Sequence, residues 1–472
     1  MFRSLFSRRG AVALAAASIG VASLSLVTAG TAGATVPNAS LLIGSGSQTS
    51  YSTMTALSDL FNGAPGCDLT AATSLPLALN CGTSTTAAGS VGGEQGFNVS
   101  GENPYNDYTV QAPAVGSGNG ATQLFDAGAN SPTTTPAIQY SRASSHKGNT
   151  TDNNVEYATD GVSWSTFSKV KGVATKQAAI HAISLANLSA IWLGTLSCVK
   201  SGVTYSMNWR CLGATVSSPI DVYNAQIGSG TFSTWSGALG YSGATPAGIT
   251  CSTCEAGWTP ADVTAFGPAA AAHSNIFENQ MSTIAGRPDA ANAIYFFSYG
   301  RFTDTCKKIT FATNAYTGLC AGTPATDTTL LGAIINNLGT TVAPTQTTIQ
   351  GSGGGAGVTF PVTRGLYNLY NNSSATVPSN QATLNFVGEN GFLCKSSTKT
   401  DIDPQTGVAY RTEIEAAIKA NGFFPLDKTG ATFAEGSVTF PGTITEAAYA
   451  ANDNNAGNTG ATGNGYCLVT NG

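Results

Sequence analysis

Three short turns of glycine and hydroxyl residues carry the chemistry that can be read from this chain. They are Gly44-Ser45-Gly46-Ser47, Gly116-Ser117-Gly118-Asn119-Gly120 and Gly228-Ser229-Gly230-Thr231. Each follows an apolar run and precedes a helix-like one. A strand-to-helix junction of this composition presents backbone N–H groups and hydroxyls at the positive end of a helix, which is a seat for an anion. The third turn is the most informative, because Pro219–Asn224 before it reads as a strand and Phe232–Trp235 after it as the start of a helix. No G-x-S-x-G elbow, HExxH pair or Walker loop appears. His146, His181 and His273 are scattered, and Cys251-Ser-Thr-Cys254 has no second CxxC to complete a metal site. The expected chemistry is binding rather than catalysis, with no cofactor, no metal and no catalytic residue. The enzymatic alternative, a Ser-His-Asp set assembled from distant residues, predicts that a serine reacts with an acylating or phosphonylating probe.

The elements that must hold these turns alternate in period. Leu41-Leu42-Ile43 predicts a short strand into the first turn, and Met54, Leu57, Leu60 and Phe61 fall at helical spacing after it. Val115 leads into the second turn, and Ala121–Phe125 starts a helix. Ala137–Arg142 and Val155–Phe167 predict strands. Ile183–Leu193 predicts a helix capped by Ser184 or Asn187. Ala293–Tyr299 and Phe360–Tyr370 predict strands, and Leu330–Leu338 a short helix. Thr412 is expected to cap a helix with Ile414, Ala417 and Ile418 on one face, ended by Asn421-Gly422. Strands alternating with helices indicate an α/β fold. Trp164, Trp192, Trp209 and Trp235 are expected in the core.

Charged residues are only 10% of the chain and the net charge is −5, so there is no basic stripe for nucleic acid. Arg3, Arg8 and Arg9 followed by the apolar Ala11–Val27 and the small residues Ala32-Gly33-Ala34 predict a signal peptide over residues 1–34. The first cysteine is Cys67, far from that cleavage site, which argues against a lipid anchor. The expected location is secreted or at the cell envelope. Ten cysteines in an exported chain point to disulfides. The spacings suggest Cys67–Cys81, Cys198–Cys211, Cys251–Cys254 and Cys306–Cys320, leaving Cys394 with Cys467.

Several segments, in order, resemble one family. Leu42–Thr49 resembles the first glycine turn of the phosphate-binding solute-binding proteins of bacterial phosphate ABC transporters, and Val115–Gly120 resembles their second. Tyr140–Ser145 is similar to the strand end that follows. Val155–Trp164 is similar to the first crossing between lobes, and Leu185–Trp192 to the next helix. Gly228–Thr231 resembles the anion loop of the second lobe, Ala293–Tyr299 the return crossing, and Phe392–Cys394 and Asn421–Pro425 the C-terminal pieces. The resemblance implies a two-lobed type II periplasmic-binding-protein fold with hinge strands. Lobe one would comprise 35–160 and, with loop insertions, 302–472; lobe two would comprise 161–301. It further implies that Gln48, Thr49, Ser117, Ser144, Ser229, Gly230 and Thr231 face the ligand.

Two positions depart from the pattern. Ser144 stands where the family places an Asp, and Ala225 where it places an Arg; Arg142, two residues before Ser144, is the nearest cation and is expected to compensate as a ligand-binding residue. A carboxylate aimed at the ligand rejects fully deprotonated anions, since two acceptors would face each other unpaired. The implied function is a monomeric, exported protein that captures inorganic phosphate or a related oxyanion for an ABC permease. The alternative is a secreted or wall-associated adhesin-like protein of the same fold that has lost its transport ligand.

Overall fold

In the computed structural model, residues 40–63, 107–125, 138–147, 152–225, 228–240, 328–350, 359–371, 406–426 and 466–471 are described continuously, with shorter pieces between 274 and 321 and between 381 and 403. The chain is a mixed α/β protein, as expected, built on one large sheet. The expected signal peptide lies outside the described residues. Among the described residues, no helix is long and apolar enough to cross a membrane.

The chain begins with strand β1 (Ser40–Gly46), helix α1 (Tyr51–Gly63), β2 (Asp107–Ala114), α2 (Ser117–Phe125) and β3 (Tyr140–Ala143). β2 and β3 flank β1, both parallel to it; strands paired in parallel need crossovers, and the helices supply them. β4 (Asp152–Val170) follows, then α3 (Leu185–Trp192), a hairpin of β5 (Ser197–Lys200) and β6 (Val203–Ser206), β7 (Asp221–Ala225), α4 (Gly230–Leu239) and the short β8 (Ser274–Ile276). β9 (Ala293–Ser298), α5 (Tyr299–Thr305), β10 (Thr328–Ile335), β11 (Thr363–Asn371), α6 (Tyr410–Ala420), β12 (Phe424–Pro425) and β13 (Leu468–Asn471) complete the elements used below. The sheet runs β8-β7-β9-β4-β11-β3-β1-β2. Its two ends are parallel trios and its middle is antiparallel.

The long strand β4 joins two cores. Its first half lies between β11 on one edge and β12 and β13 on the other. Its second half lies between β9 and β10. One core gathers Leu42, Met54, Leu57, Tyr157, Phe386, Phe392, Ile414 and Ile418 around α1 and α6. The other gathers Trp164, Trp192, Trp209, Trp235, Tyr295 and Phe297. All four tryptophans are fully buried, and Trp192 meets Trp235 edge-on with centroids 5.1 Å apart. Leu330, Leu331, Ile334, Val342, Ile349, Phe360 and Val362 also enter this second core.

Two local expectations are corrected. Leu330–Leu338 is not a helix; residues 328–335 form strand β10, paired with β4. A short apolar run is ambiguous by periodicity, and here β-branched residues at both ends and neighbours on both edges decide for strand. Thr412 is not a cap, since α6 begins at Tyr410 with Ala409 in the cap position. Ser184 does cap α3, accepting from the Asn187 N–H at 3.2 Å. Gly422, at φ 81°, ends α6 in the left-handed conformation that favours glycine.

Two of the suggested disulfides are formed. Cys198–Cys211 ties the β5–β6 hairpin to the turn after it, and Cys394–Cys467 ties β13 to the turn at 391–394. Cys67, Cys81, Cys251, Cys254 and Cys306 lie outside the described residues, as does the side chain of Cys320.

Candidate functional site

Four strands, three from one parallel trio and one from the opposed trio, aim their carboxyl ends at one place. β1 runs into Ser47–Ser50, β2 into Ser117, β3 into Ser144 and β7 into Gly228–Thr231. In open α/β sheets this is the edge where ligands bind, because the helices that follow present their N-termini there. Gly46, at φ 118°, turns the chain out of β1. Its carbonyl accepts from the N–H groups of Val115 and Gly116, both at 3.0 Å, so the first two turns are locked together.

The third turn closes on the other two. The Gly118 N–H donates to the Gly228 carbonyl at 2.7 Å. A Cβ on Gly230 would fall 2.5 Å from the Oγ of both Ser117 and Ser144, so only glycine permits this approach. The Ser117 and Ser144 hydroxyls are 3.2 Å apart, and the Ser47 hydroxyl donates to Ser144 Oγ at 3.1 Å. Thr49 Oγ1 and Thr231 Oγ1 meet at 3.1 Å. Ser47, Thr49, Ser117, Ser144, Ser229 and Thr231 are all buried.

At the centre of these groups sits a carboxylate, that of Glu278, fully buried. Its Oε1 accepts from the backbone N–H of Gln48 at 3.1 Å and of Thr49 at 3.3 Å. The hydroxyls of Ser47 and Thr49 lie 3.4 Å from the same oxygen. Its Oε2 accepts from the Ser229 hydroxyl, while Ser229 Oγ itself accepts from the Phe232 N–H at 3.1 Å as the cap of α4. Backbone amides at the start of α1 and a hydroxyl at the start of α4 therefore hold one anionic group between them. Charge-assisted bonds of this kind are roughly twice as strong as neutral ones.

The cation of the cluster is Arg364, on β11. It faces Asp160 directly across the β4–β11 pairing. Its Nε and Nη2 donate to Asp160 Oδ2 at 2.9 and 2.7 Å. Its Nη1 donates to Thr231 Oγ1 at 2.8 Å and to the Ser144 carbonyl at 3.1 Å, and Nη2 reaches Thr49 Oγ1 at 3.3 Å. Asp160 also accepts from Ser298 Oγ at 2.8 Å and from the Gly300 N–H at 3.0 Å, at the start of α5. Both side chains are almost wholly buried. A second cation, Lys147, stands close enough for the Glu278 charge to act on it. Burial pulls the Lys147 ammonium below its ordinary range, and the Glu278 carboxylate offsets part of that pull.

Arg142 is placed otherwise. Its guanidinium donates to the carbonyls of Gly44 at 2.8 Å, Ser47 at 3.3 Å and Ala112 at 3.2 Å, and to Gln111 Oε1 at 2.5 Å. It also lies over the Tyr51 ring, 5.2 Å from its centroid. Burial pulls it down to about 10, with the charges of neighbouring tyrosines opposing. Arg142 thus holds the first turn to β2, and its donors are directed at carbonyl groups.

Of the residues expected at the ligand, Gln48, Thr49, Ser117, Ser144, Ser229, Gly230 and Thr231 come together, Gln48 through its backbone N–H. Arg142 does not join them at the hydroxyl cluster. The sequence reading missed Ser47, Asp160, Glu278, Asn279 and Arg364. Asn279 Nδ2 donates to Thr49 Oγ1 at 3.0 Å. Ser47 was within reach, since it closes the first glycine turn. Nothing local marks Glu278 or Arg364, whose places are set by partners far along the chain.

No protein-family model matches this chain, and no curated protein does. Among solved structures, the chain is similar to a putative phosphate ABC transporter substrate-binding protein of Clostridium perfringens with bound phosphate: 13% identity, TM-score 0.42, covering 82% of this chain and 100% of that one. It is also similar to an ABC-type phosphate transport receptor of Vibrio cholerae, with 13% identity, TM-score 0.38 and coverage of 82% and 99%. A possible phosphate-binding protein of Planctomyces limnophilus gives 13% identity, TM-score 0.35 and the same coverage. At these values the likeness is distant.

Proposed function

We propose that this cluster is an oxyanion-binding site, and that the chain is an exported solute-binding protein that captures phosphate or a related oxyanion for an ABC-type permease. The observation that carries this reading is the Glu278 carboxylate. The site holds an anion by backbone N–H groups and hydroxyls drawn from two helix N-termini, which is how a small oxyanion replaces its hydration shell. A full countercharge is not required, because many short bonds from neutral dipoles suffice. Residues on both sides of β4 contribute, so capture is by closure of two lobes on the ligand. The protein acts as a monomer in this reading.

Isothermal titration of the oxidised protein with phosphate, with sulfate as competitor, tests it. Saturable binding of one anion per chain is expected, and no binding of either anion would overturn the reading. Thr231→Ala removes the hydroxyl bonded to both Arg364 and Thr49, and Ser229→Ala removes the cap of α4. Each is expected to weaken anion binding by about 1–3 kcal/mol, the scale of leaving a buried partner unsatisfied. Unchanged affinity in both would remove the third turn from the site.

A further inference from the structure

We infer that Glu278 is an affinity-setting residue: its carboxylate is the site's own anion and occupies the oxyanion seat until an external oxyanion displaces it. This rests on the oxyanion-binding reading given above. The donors that hold Glu278 are the donors a bound oxyanion needs. Both carboxylate oxygens are engaged, one by the Gln48 and Thr49 N–H groups and the other by the Ser229 hydroxyl. An external oxyanion that uses the same N–H groups must lie where those oxygens lie. Two anions side by side in a buried cradle repel strongly, so occupancy is exclusive.

The mounting of the two sides differs. The donors sit at the starts of α1 and α4, each anchored in a core by buried apolar residues such as Met54 and Trp235. Glu278 sits two residues beyond β8, a three-residue strand at the end of the sheet that, among the described residues, pairs with β7 alone. The next residue provides the pivot. Asn279 adopts φ 61°, a conformation Asn accepts more readily than most residues. Its side chain bonds Thr49 Oγ1 at 3.0 Å and the Ser298 N–H at 3.1 Å. The turn stays pinned at Asn279 while the neighbouring glutamate swings out. Exchange of carboxylate for oxyanion keeps a negative charge facing Lys147 and the helix N-termini. The cost is in affinity, since the observed dissociation constant rises as the fraction of vacated sites falls.

The test compares wild type with Glu278→Ala and Glu278→Gln in titrations with inorganic phosphate and with sulfate. Thermal unfolding of each variant checks its fold. Glu278→Ala empties the seat and is expected to bind phosphate about tenfold or more tightly than wild type. Glu278→Gln keeps the shape, removes the charge, and is expected to fall between the two. Hydrogen exchange in the peptide around 274–279 is expected to rise when phosphate is added to wild type. Equal or weaker binding by both variants would overturn the inference and leave the oxyanion site standing, with Glu278 then a contact to the ligand. Binding by neither wild type nor variants would overturn both readings. Binding by the variants alone would support the inference that Glu278 holds the seat and overturn capture of these anions by the wild-type protein.

Discussion

Replacing Arg364 by Met is expected to lower the stability of the protein by about 3–5 kcal/mol, the usual result of stripping one partner from a buried ion pair. Asp160 would then be a buried carboxylate left with the Ser298 hydroxyl and the Gly300 N–H. Thr231, Thr49 and the Ser144 carbonyl would lose a shared partner as well. Because these groups lie on both sides of β4, the variant should also lose oxyanion binding. Urea unfolding with phosphate titration reads both effects. The control is Arg364→Met combined with Asp160→Asn, which removes the unpaired charge while Asn keeps an oxygen for the Gly300 N–H. It should recover a large part of the stability and little of the binding. A loss below about 1 kcal/mol in the single variant would mean that the pair contributes no more than an exposed one.

The second large effect is expected at Cys394–Cys467. This bridge closes a loop of 73 residues, and in the chain-entropy description a loop of that length is worth about 4 kcal/mol. Cys198–Cys211 closes only 13, for which the same description gives about 3 kcal/mol. Replacing Cys394 and Cys467 together by Ser should lower the guanidinium midpoint more than the same change at Cys198 and Cys211. It also frees the strand that covers one edge of β4. Equal midpoints for the two double variants would show that loop length does not set the difference.

What could be read from the sequence was local. The glycine turns were legible because turn chemistry is written in four or five consecutive residues. Gln48, Thr49, Ser117, Ser144 and Thr231 came from the family resemblance of the segments that hold them. The cation was not legible. Arg142 is two residues from Ser144 in the chain, yet its donors go to carbonyls around the first turn. Arg364 is 220 residues from Ser144 and donates to its carbonyl. Only the register of β4 with β11 places Arg364 beside Asp160, and register between strands so distant leaves no trace in local periodicity. Glu278 was hidden for a related reason: it follows a three-residue edge strand in a stretch without apolar rhythm. β10 was misread because its eight residues are too few to separate a helix from a buried strand.

The pairing of β4 has a consequence for the order in which the molecule is made. On one edge of β4, Val155 pairs with Asn368, and on the other with Val469. The strand is thus synthesised early and completed by residues roughly two hundred and three hundred positions later. Contacts this far apart form slowly, since the loops between them must close before any reward is felt. Until residues 468–471 have emerged, one edge of the strand at 153–156 offers unpaired N–H and C=O groups. An open edge of that kind is a template for pairing with another nascent chain. The short strand β13 therefore acts as a seal: its arrival marks the moment at which a newly made molecule loses its capacity to aggregate through β4.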